Sequence, residues 1–467
     1  MHPHEKHQPY EPALDKRDDA RRSPTRRVSL LFGLLALVGL SALFRLPHHC
    51  HHAFSKALLP QKPLTVEDRV KDILTSTPLI DGHNDLPILI RAIYGNRIYN
   101  ESFREPFEDG RTPGHVDLVR LRKGMNGGAF WSVYWLCPDT MLDFSDEIYD
   151  PIVKETIQQI DLVTRLQELY PAQFSTKVNS STAEAAFNNG QLISPLGVEG
   201  LHQIGNSAAN LRRFYDLGVR YATLTHNCPN RYADSALWSN PSRSAPPYWG
   251  GVSQDGKALI REMNRIGMIV DLSHTSADTQ RHVLGGGKDG WEGSLAPVMY
   301  SHSSAYSICP HPRNVHDDVL QLVKERNGVV MVNFAPDFIS CVEADNENGL
   351  PDFYPPNSTL AHVAKHVMYI GNLIGFDHVG FGSDFDGIPS TPEGLGDVSK
   401  YPDLVAELLR QGVSDEDAAK VVGGNILRVW KAVDEVALDL QAKGTPPLED
   451  ELPRLMFEST SEFQEKF

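Results

Sequence analysis

The sequence predicts an α/β fold: a (β/α)8 barrel with extra C-terminal helices, preceded by an N-terminal membrane-anchor helix. Three observations predict it. Eight short apolar, β-branched stretches recur at about 79–83, 129–135, 192–198, 221–226, 268–274, 297–302, 329–334 and 379–384. Helical patterns lie between most of them, and such alternation marks a parallel sheet covered by helices. Six of the eight stretches end in His, Asp or Glu, and the C-terminal rim of a closed parallel barrel is where active sites form. An open doubly wound sheet gives a similar alternation, so strand count alone leaves both open.

Residues 1–27 are polar and aperiodic and read as a disordered cytoplasmic tail. The run Val28–Phe44 is apolar over 17 residues and follows Arg21, Arg22, Arg26 and Arg27. That length and charge bias predict a signal anchor over 28–46, with the N-terminus cytoplasmic and the bulk translocated. A cleaved signal peptide, giving a secreted protein, is the rival. Residues 47–64 form a stem in which the His48–His52 cluster surrounds Cys50. The cluster could hold a soft metal, but a solvated linker is the simpler reading. At Thr65-Val66-Glu67-Asp68 a capping box opens the first helix. The barrel is expected over 65–440. Its helices include Pro151–Tyr170, Asn206–Leu217, Asp255–Ile266, Asp317–Arg326 and Leu360–Ile374. Three more, Tyr401–Gln411, Ser414–Val422 and Asn425–Val436, would close the outside, and 441–467 reads as a mobile tail.

Net charge excludes one class of partner. The chain of 467 residues carries −16, and its first 27 residues hold seven Lys/Arg against five Asp/Glu. The remainder is therefore more acidic still, which disfavours nucleic acid and suits acidic clefts that hold cations. None of the five cysteines (Cys50, Cys137, Cys228, Cys309, Cys341) is in C-x-x-C spacing, so a structural zinc knuckle is not expected. Asn100, Asn179 and Asn357 begin glycosylation sequons.

The strand tips carry the chemistry. Leu79-Ile80-Asp81-Gly82-His83-Asn84-Asp85 delivers His83 and Asp85, which share a face if the strand stays extended. Later tips supply Glu199, His226, His274, His302 and Asp384. Packing alone does not place such residues at six tips, because they are rarely buried without partners. Imidazoles with carboxylates suit zinc better than magnesium or calcium. The set suffices for two ions if one carboxylate bridges, and paired ions can hold a hydroxide and polarise a carbonyl. Asp384 is then free to move protons.

These stretches resemble the membrane dipeptidases (renal dipeptidase type) of the metal-dependent hydrolase superfamily. The matching motifs are Asp81-Gly82-His83-Asn84-Asp85-Leu86-Pro87, Phe130-Trp131-Ser132-Val133-Tyr134, Gly197-Val198-Glu199-Gly200, Leu224-Thr225-His226, Asp271-Leu272-Ser273-His274, Ser301-His302-Ser303-Ser304-Ala305-Tyr306-Ser307 and Gly382-Ser383-Asp384-Phe385-Asp386-Gly387. The resemblance runs from about Thr65 to Val436. It implies a TIM-type barrel holding two Zn²⁺ per chain. His83, Asp85 and Glu199 would hold one ion, and Glu199, His274 and His302 the other, with Glu199 as bridge. It further implies that His226 polarises the carbonyl, Arg313 reads the substrate carboxylate and Asp384 shuttles the proton. It implies disulfides Cys137–Cys228 and Cys309–Cys341, leaving Cys50 able to join two chains as a homodimer. Two departures stand out. Phe338 occupies a position where the family has tyrosine, and Leu438–Phe467 lacks the apolar tail of a lipid anchor. The expected activity is hydrolysis of dipeptides through a metal-bridging hydroxide. The alternatives are a related binuclear amidohydrolase acting on a carboxylate-bearing amide or secondary-metabolite conjugate, and an inactive barrel serving as a surface receptor.

Overall fold

In the computed structural model, which describes residues 63–452 apart from Lys288, eight parallel strands form one sheet in chain order. They are β1 (Leu79–Asn84), β2 (Asn126–Ser132), β3 (Leu196–Glu199), β4 (Val219–Thr223), β5 (Ile269–Asp271), β6 (Met299–Tyr300), β7 (Val329–Val332) and β8 (Val379–Phe381). The two edges meet beyond the end of β8. The Asp384 N–H donates to the His83 carbonyl at 3.1 Å and the Asp85 N–H to the Phe385 carbonyl at 2.8 Å. The sheet is thus a TIM-type barrel, as expected. The tail, anchor and most of the stem, with Cys50 and the His48–His52 cluster, lie outside the described residues. Among the described residues no helix is long and apolar enough to cross a membrane.

The strands read as unbroken apolar runs because both faces are buried. Ile80, Phe130, Tyr221, Ile269, Met299, Val329 and Met331 pack in an inner cluster. Their neighbours Leu79, Trp131, Ala222, Val270, Val330 and Val332 pack outward against the helices. That alternation is the two-residue period of an extended chain. Gly82 and Gly382 permit the tight interior, since a Cβ on either would fall 2.5 or 1.8 Å from the Ser301 carbonyl oxygen.

The helices form where capping and periodicity place them. Thr65 and Asp68 exchange bonds in a capping box at the start of Val66–Ser76. Ala208–Leu217, Gln254–Ile266, Asp317–Glu325 and Leu360–Ile374 follow the expected spans to within a few residues. One helix does more than line the outside. Ile426, Val429, Trp430 and Val433 of Asn425–Ala442 join the inner cluster, and Trp430 meets Phe130 at 5.5 Å between ring centres. The turn before this helix presses Gly423 against the Pro78 carbonyl, so the last helix covers the N-terminal end of the barrel.

Part of the C-terminal segment expected to be mobile is anchored. Leu448 N–H donates to Glu262 at 3.0 Å. The Asp450 carboxylate accepts from Ala208 N–H at 2.7 Å, Ala209 N–H at 3.1 Å and the Ser207 hydroxyl at 2.8 Å. It thereby serves the orphan donors at the start of helix Ala208–Leu217. The three sequon asparagines are exposed, and Asn179 already caps helix Ser180–Asn188. Asp450→Ala should cost about 1 kcal/mol, the value of a lost helix cap. A denaturation midpoint equal to that of the parent would contradict this.

Candidate metal centre

Every residue expected at the strand tips converges at the C-terminal mouth, but most stand past the strands rather than on them. Only His83 and Glu199 belong to strands; β4, β5, β6 and β8 end two or three residues before His226, His274, His302 and Asp384. The expected strands at 221–226, 268–274, 297–302 and 379–384 are therefore too long. The physical reason is that the chain must leave the ladder to aim these side chains inward. Two of the exits use left-handed backbone, with φ of 64° at both His274 and Asp384, a conformation non-glycine residues adopt at a cost.

His83 and Asp85 do meet, at 3.1 Å between Nε2 and Oδ2. They do so through a bend, not through extended alternation: β1 ends at Asn84, and Asp85 has φ −97° and ψ 22° at the start of helix Leu86–Tyr94. Asp85 holds the cap position yet makes no capping bond. Its carboxylate is turned to the mouth instead, and its Oδ1 is buried without a hydrogen-bond partner.

The groups crowd around one oxygen. Glu199 Oε1 lies 2.9 Å from His274 Nε2, 3.5 Å from His302 Nε2 and 3.6 Å from His83 Nε2. His274 Nε2 and His302 Nε2 are 2.9 Å apart. The far ring nitrogens decide what these atoms are. His274 Nδ1 lies 2.8 Å from the Asn227 side-chain oxygen, so it carries the hydrogen. His302 Nδ1 lies 2.8 Å from Ser301 Oγ, whose own hydrogen goes to Asp271 at 2.6 Å, so it too carries the hydrogen. Both Nε2 atoms then present lone pairs to each other and to a carboxylate. Converging acceptors repel unless a cation sits among them, and metal-bound histidines are oriented by such partners on the far nitrogen. His83/Asp85/Glu199 and Glu199/His274/His302 each place their donor atoms within 4.8 Å of one another, and Glu199 is common to both. The donor set, the orphaned Asp85 oxygen and the shared carboxylate fit two divalent cations. Cys137, Cys228 and His202 also satisfy the spacing, but the two sulfurs are joined at 2.00 Å.

Burial sets the electrostatics. It pushes the Glu199 carboxyl up to about 8, against the pull of His83, and the Asp384 carboxyl up to about 7. It holds His226, His274 and His302 well below the ordinary imidazole value, in their neutral form. Burial opposes the charge on His83 too, but the Asp85 and Glu199 carboxylates outweigh it and raise the imidazole to about 10. A divalent cation competes with that proton for the same nitrogen, so metal binding releases it. Burial lowers Arg313 to about 10, with Asp384 and Glu199 supporting its charge, so it is a cation at neutral pH.

Around the centre is a cavity of about 360 Å³ whose walls include Tyr134, His226, Arg313, Phe338 and Asp384. Arg313 is 3% exposed, its Nε has no partner, and its guanidinium lies 4.9 Å from the centre of the Phe338 ring. The Phe338 ring thus packs on the cation. Both implied disulfides are present, Cys137–Cys228 and Cys309–Cys341. The first brings Cys137 Sγ to 3.5 Å from His226 Nδ1.

Sequence reasoning left other contributors unassigned. Tyr134 follows β2 and packs 4.8 Å from the His226 ring; Asn333 follows β7 and donates to Asp384 at 3.1 Å. These occupy the two tips that ended in no His, Asp or Glu, and their place at the end of an apolar run was the available signal. Asn227, 2.8 Å from His274 Nδ1, had only its place next to His226 as a signal. Tyr221 Oη lies 2.7 Å from His83 Nδ1 and carried no signal, reading as one more strand residue.

Known proteins resemble this chain over most of its length. Residues 67–444 match the family model described as membrane dipeptidase (peptidase family M19). Dipeptidase aclJ of Aspergillus oryzae is 45% identical over 454 residues, covering 94% of this chain and 99% of that protein. An uncharacterized dipeptidase of Schizosaccharomyces pombe is 44% identical over 390 residues, covering 82% of this chain and 87% of that protein. Among solved structures, the probable dipeptidase PvdM from Pseudomonas aeruginosa superposes with a TM-score of 0.68 at 22% identity, over 80% of this chain and all 100% of that one. A metallopeptidase from Rhodobacter sphaeroides, liganded with a phosphinate mimic of the dipeptide L-Ala-D-Ala, gives 0.63 at 23% identity, over 76% and 99% of the two chains. At these identities the two structures speak for the fold.

Gly387 is the cradle of the centre. A Cβ there would lie 2.2 Å from Asp85 Oδ2 and 2.6 Å from Asp384 Oδ1, so a side chain must push a carboxylate aside. Gly387→Ala should keep the fold and lose bound metal, read by metal analysis beside circular dichroism. Full metal content in that variant would contradict the placement of Asp85.

Proposed function

The chain belongs to the membrane dipeptidase family, peptidase family M19, and from this premise we propose that it is a zinc-dependent dipeptidase. The observation that carries the reading is the convergence of three imidazole nitrogens on Glu199 Oε1. His83 and Asp85 would hold one cation and His274 and His302 the other, with Glu199 common to both groups. Two zinc ions there would supply a hydroxide at neutral pH and polarise the scissile carbonyl.

The chain's own groups do the rest. Arg313 receives the substrate's C-terminal carboxylate, for which a buried guanidinium is suited because its fork matches two oxygens. Its unpartnered Nε and its stacking on Phe338 support that role. A cavity of about 360 Å³ with a fixed cation on its wall suits short substrates with a free carboxylate. His226, neutral because burial denies it charge, presents a ring N–H to the carbonyl oxygen as negative charge develops. Asp384, buried at the edge of the centre, takes a proton and delivers it to the leaving amine, as a positioned carboxylate can. Asn333 holds its Oδ2 at 3.1 Å.

The long-range disulfides support an oxidising compartment for the catalytic unit. That agrees with translocation behind the 28–46 segment, with the chain anchored there or, if the segment is cleaved, secreted. A binuclear amidohydrolase acting on another carboxylate-bearing amide would use the same groups; an inactive receptor would not need the donor set.

A purified chain should retain two zinc ions and hydrolyse dipeptides, and one that held neither metal nor activity would overturn the proposal. Asp384→Asn should keep both ions and lose at least two orders of magnitude in kcat, the scale of general acid–base catalysis; parental turnover would remove Asp384 from its role. Arg313→Ala should raise KM for dipeptides with a free C-terminal carboxylate far more than for their amides, and equal effects on both would refute carboxylate recognition.

A further inference from the structure

Two aspartates beneath the mouth touch no substrate space, yet each is fully engaged. Asp81 and Asp271 are 1% and 0% exposed. Asp271 Oδ1 accepts the N–H groups of Ser273 at 3.0 Å and Ser301 at 2.8 Å. Its Oδ2 accepts the hydroxyls of Thr223 at 2.5 Å and Ser301 at 2.6 Å. Asp81 repeats the pattern on the other side of the barrel. Its Oδ1 accepts the N–H groups of His83 at 3.2 Å and Ser383 at 2.7 Å, and its Oδ2 the Ser383 hydroxyl at 2.5 Å. In both cases the carboxylate binds the N–H two residues onward, then both the N–H and the hydroxyl of a serine past a neighbouring strand. In both cases the residue after that serine belongs to the centre: His302 after Ser301, Asp384 after Ser383.

A buried carboxylate is costly unless its lone pairs are filled, and strand pairing alone does not require one. What the carboxylates add is orientation. Ser301 has a single hydrogen. Asp271 takes it, so Ser301 Oγ can only accept the His302 Nδ1 hydrogen, and His302 Nε2 is left as a lone pair. Asp271 therefore acts on the metal ligand through Ser301. Asp81 has a different effect. Ser383 Oγ accepts the Phe385 N–H at 3.0 Å, so the residues on both sides of Asp384 are pinned while Asp384 itself sits at φ 64°.

We propose that Asp81 and Asp271 are paired positioning residues for the metal centre. Asp271 sets the His302 tautomer through Ser301, and Asp81 holds the strained backbone that aims Asp384. The inference rests on the proposed two-zinc reading, and its test separates the two.

The full chain, loaded with zinc, is titrated with a chelator while bound metal is measured, and each variant is compared with its parent. Ser301→Ala should release one of the two ions at about 10- to 100-fold lower chelator concentration, the usual cost of losing a partner behind a ligand, and leave the other unchanged. Asp271→Asn, which keeps the side chain's shape, should do the same. Thr223→Val removes a different hydroxyl from the same carboxylate and should lower the melting temperature while both ions stay as in the parent. Parental retention in Ser301→Ala and Asp271→Asn overturns the Asp271 assignment. Equal metal loss in Thr223→Val also overturns it, because a general structural role would then explain the effect. Ser383→Ala should retain both ions and lose at least 10-fold in kcat at unchanged KM; unchanged kcat, or loss of an ion, overturns the Asp81 assignment. A parent that holds no zinc removes the two-zinc reading and this inference with it, whereas a parent holding two, beside indifferent variants, removes the inference alone.

Discussion

Everything at the mouth of this barrel follows from a crowd of lone pairs. Three imidazole nitrogens lie within 3.6 Å of one carboxylate oxygen, and two of those nitrogens already have their hydrogens committed on the far side of the ring. In a buried site such an arrangement is repulsive by itself. It becomes favourable when positive charge enters, which is why the donor geometry carries more weight for function than the cavity around it.

The barrel can hold this arrangement because the stress is spread over rigid supports. His274 and Asp384 take left-handed backbone, a local cost met by hydrogen bonds on either side and by the strands below. The Cys137–Cys228 bridge ties the loop after β2 to the loop after β4, beside His226 and the Asn227 that orients His274. Cys309–Cys341 ties the loop carrying Arg313 to the segment carrying Phe338. Loops carry most of the groups at the mouth, and covalent ties remove freedom that loops otherwise have.

The mouth is also divided by charge. One side offers carboxylates and imidazoles to cations, and the other offers Arg313 to an anion. Arg313 keeps its charge under full burial because Asp384 and Glu199 support it. Phe338 covers the guanidinium with a ring face. On the proposed reading, a substrate anchored by its carboxylate at Arg313 would lie with its amide toward the centre.

Local sequence determined the element types, their order and the residue kinds at their ends. Apolar runs bounded by helix caps are short-range patterns, and motifs such as Asp81-Gly82-His83-Asn84-Asp85 and Asp271-Leu272-Ser273-His274 carry the chemistry in adjacent positions. Those patterns made the barrel and the groups that gather at its mouth legible, and the resemblance to a family pointed to Arg313 on its wall. The tertiary structure decided what depends on distant partners. It bent Asp85 out of the strand, shortened the strands so that four site residues could turn inward, and brought Tyr134 and Asn333 to the mouth. It also paired Tyr221 with His83 and turned Asp81 and Asp271 from ordinary strand-end residues into supports for Asp384 and His302. The division has a physical origin: backbone preference and side-chain type are properties of neighbours in sequence, whereas tautomer, strain and shared lone pairs exist only once strands far apart in the chain close on one another.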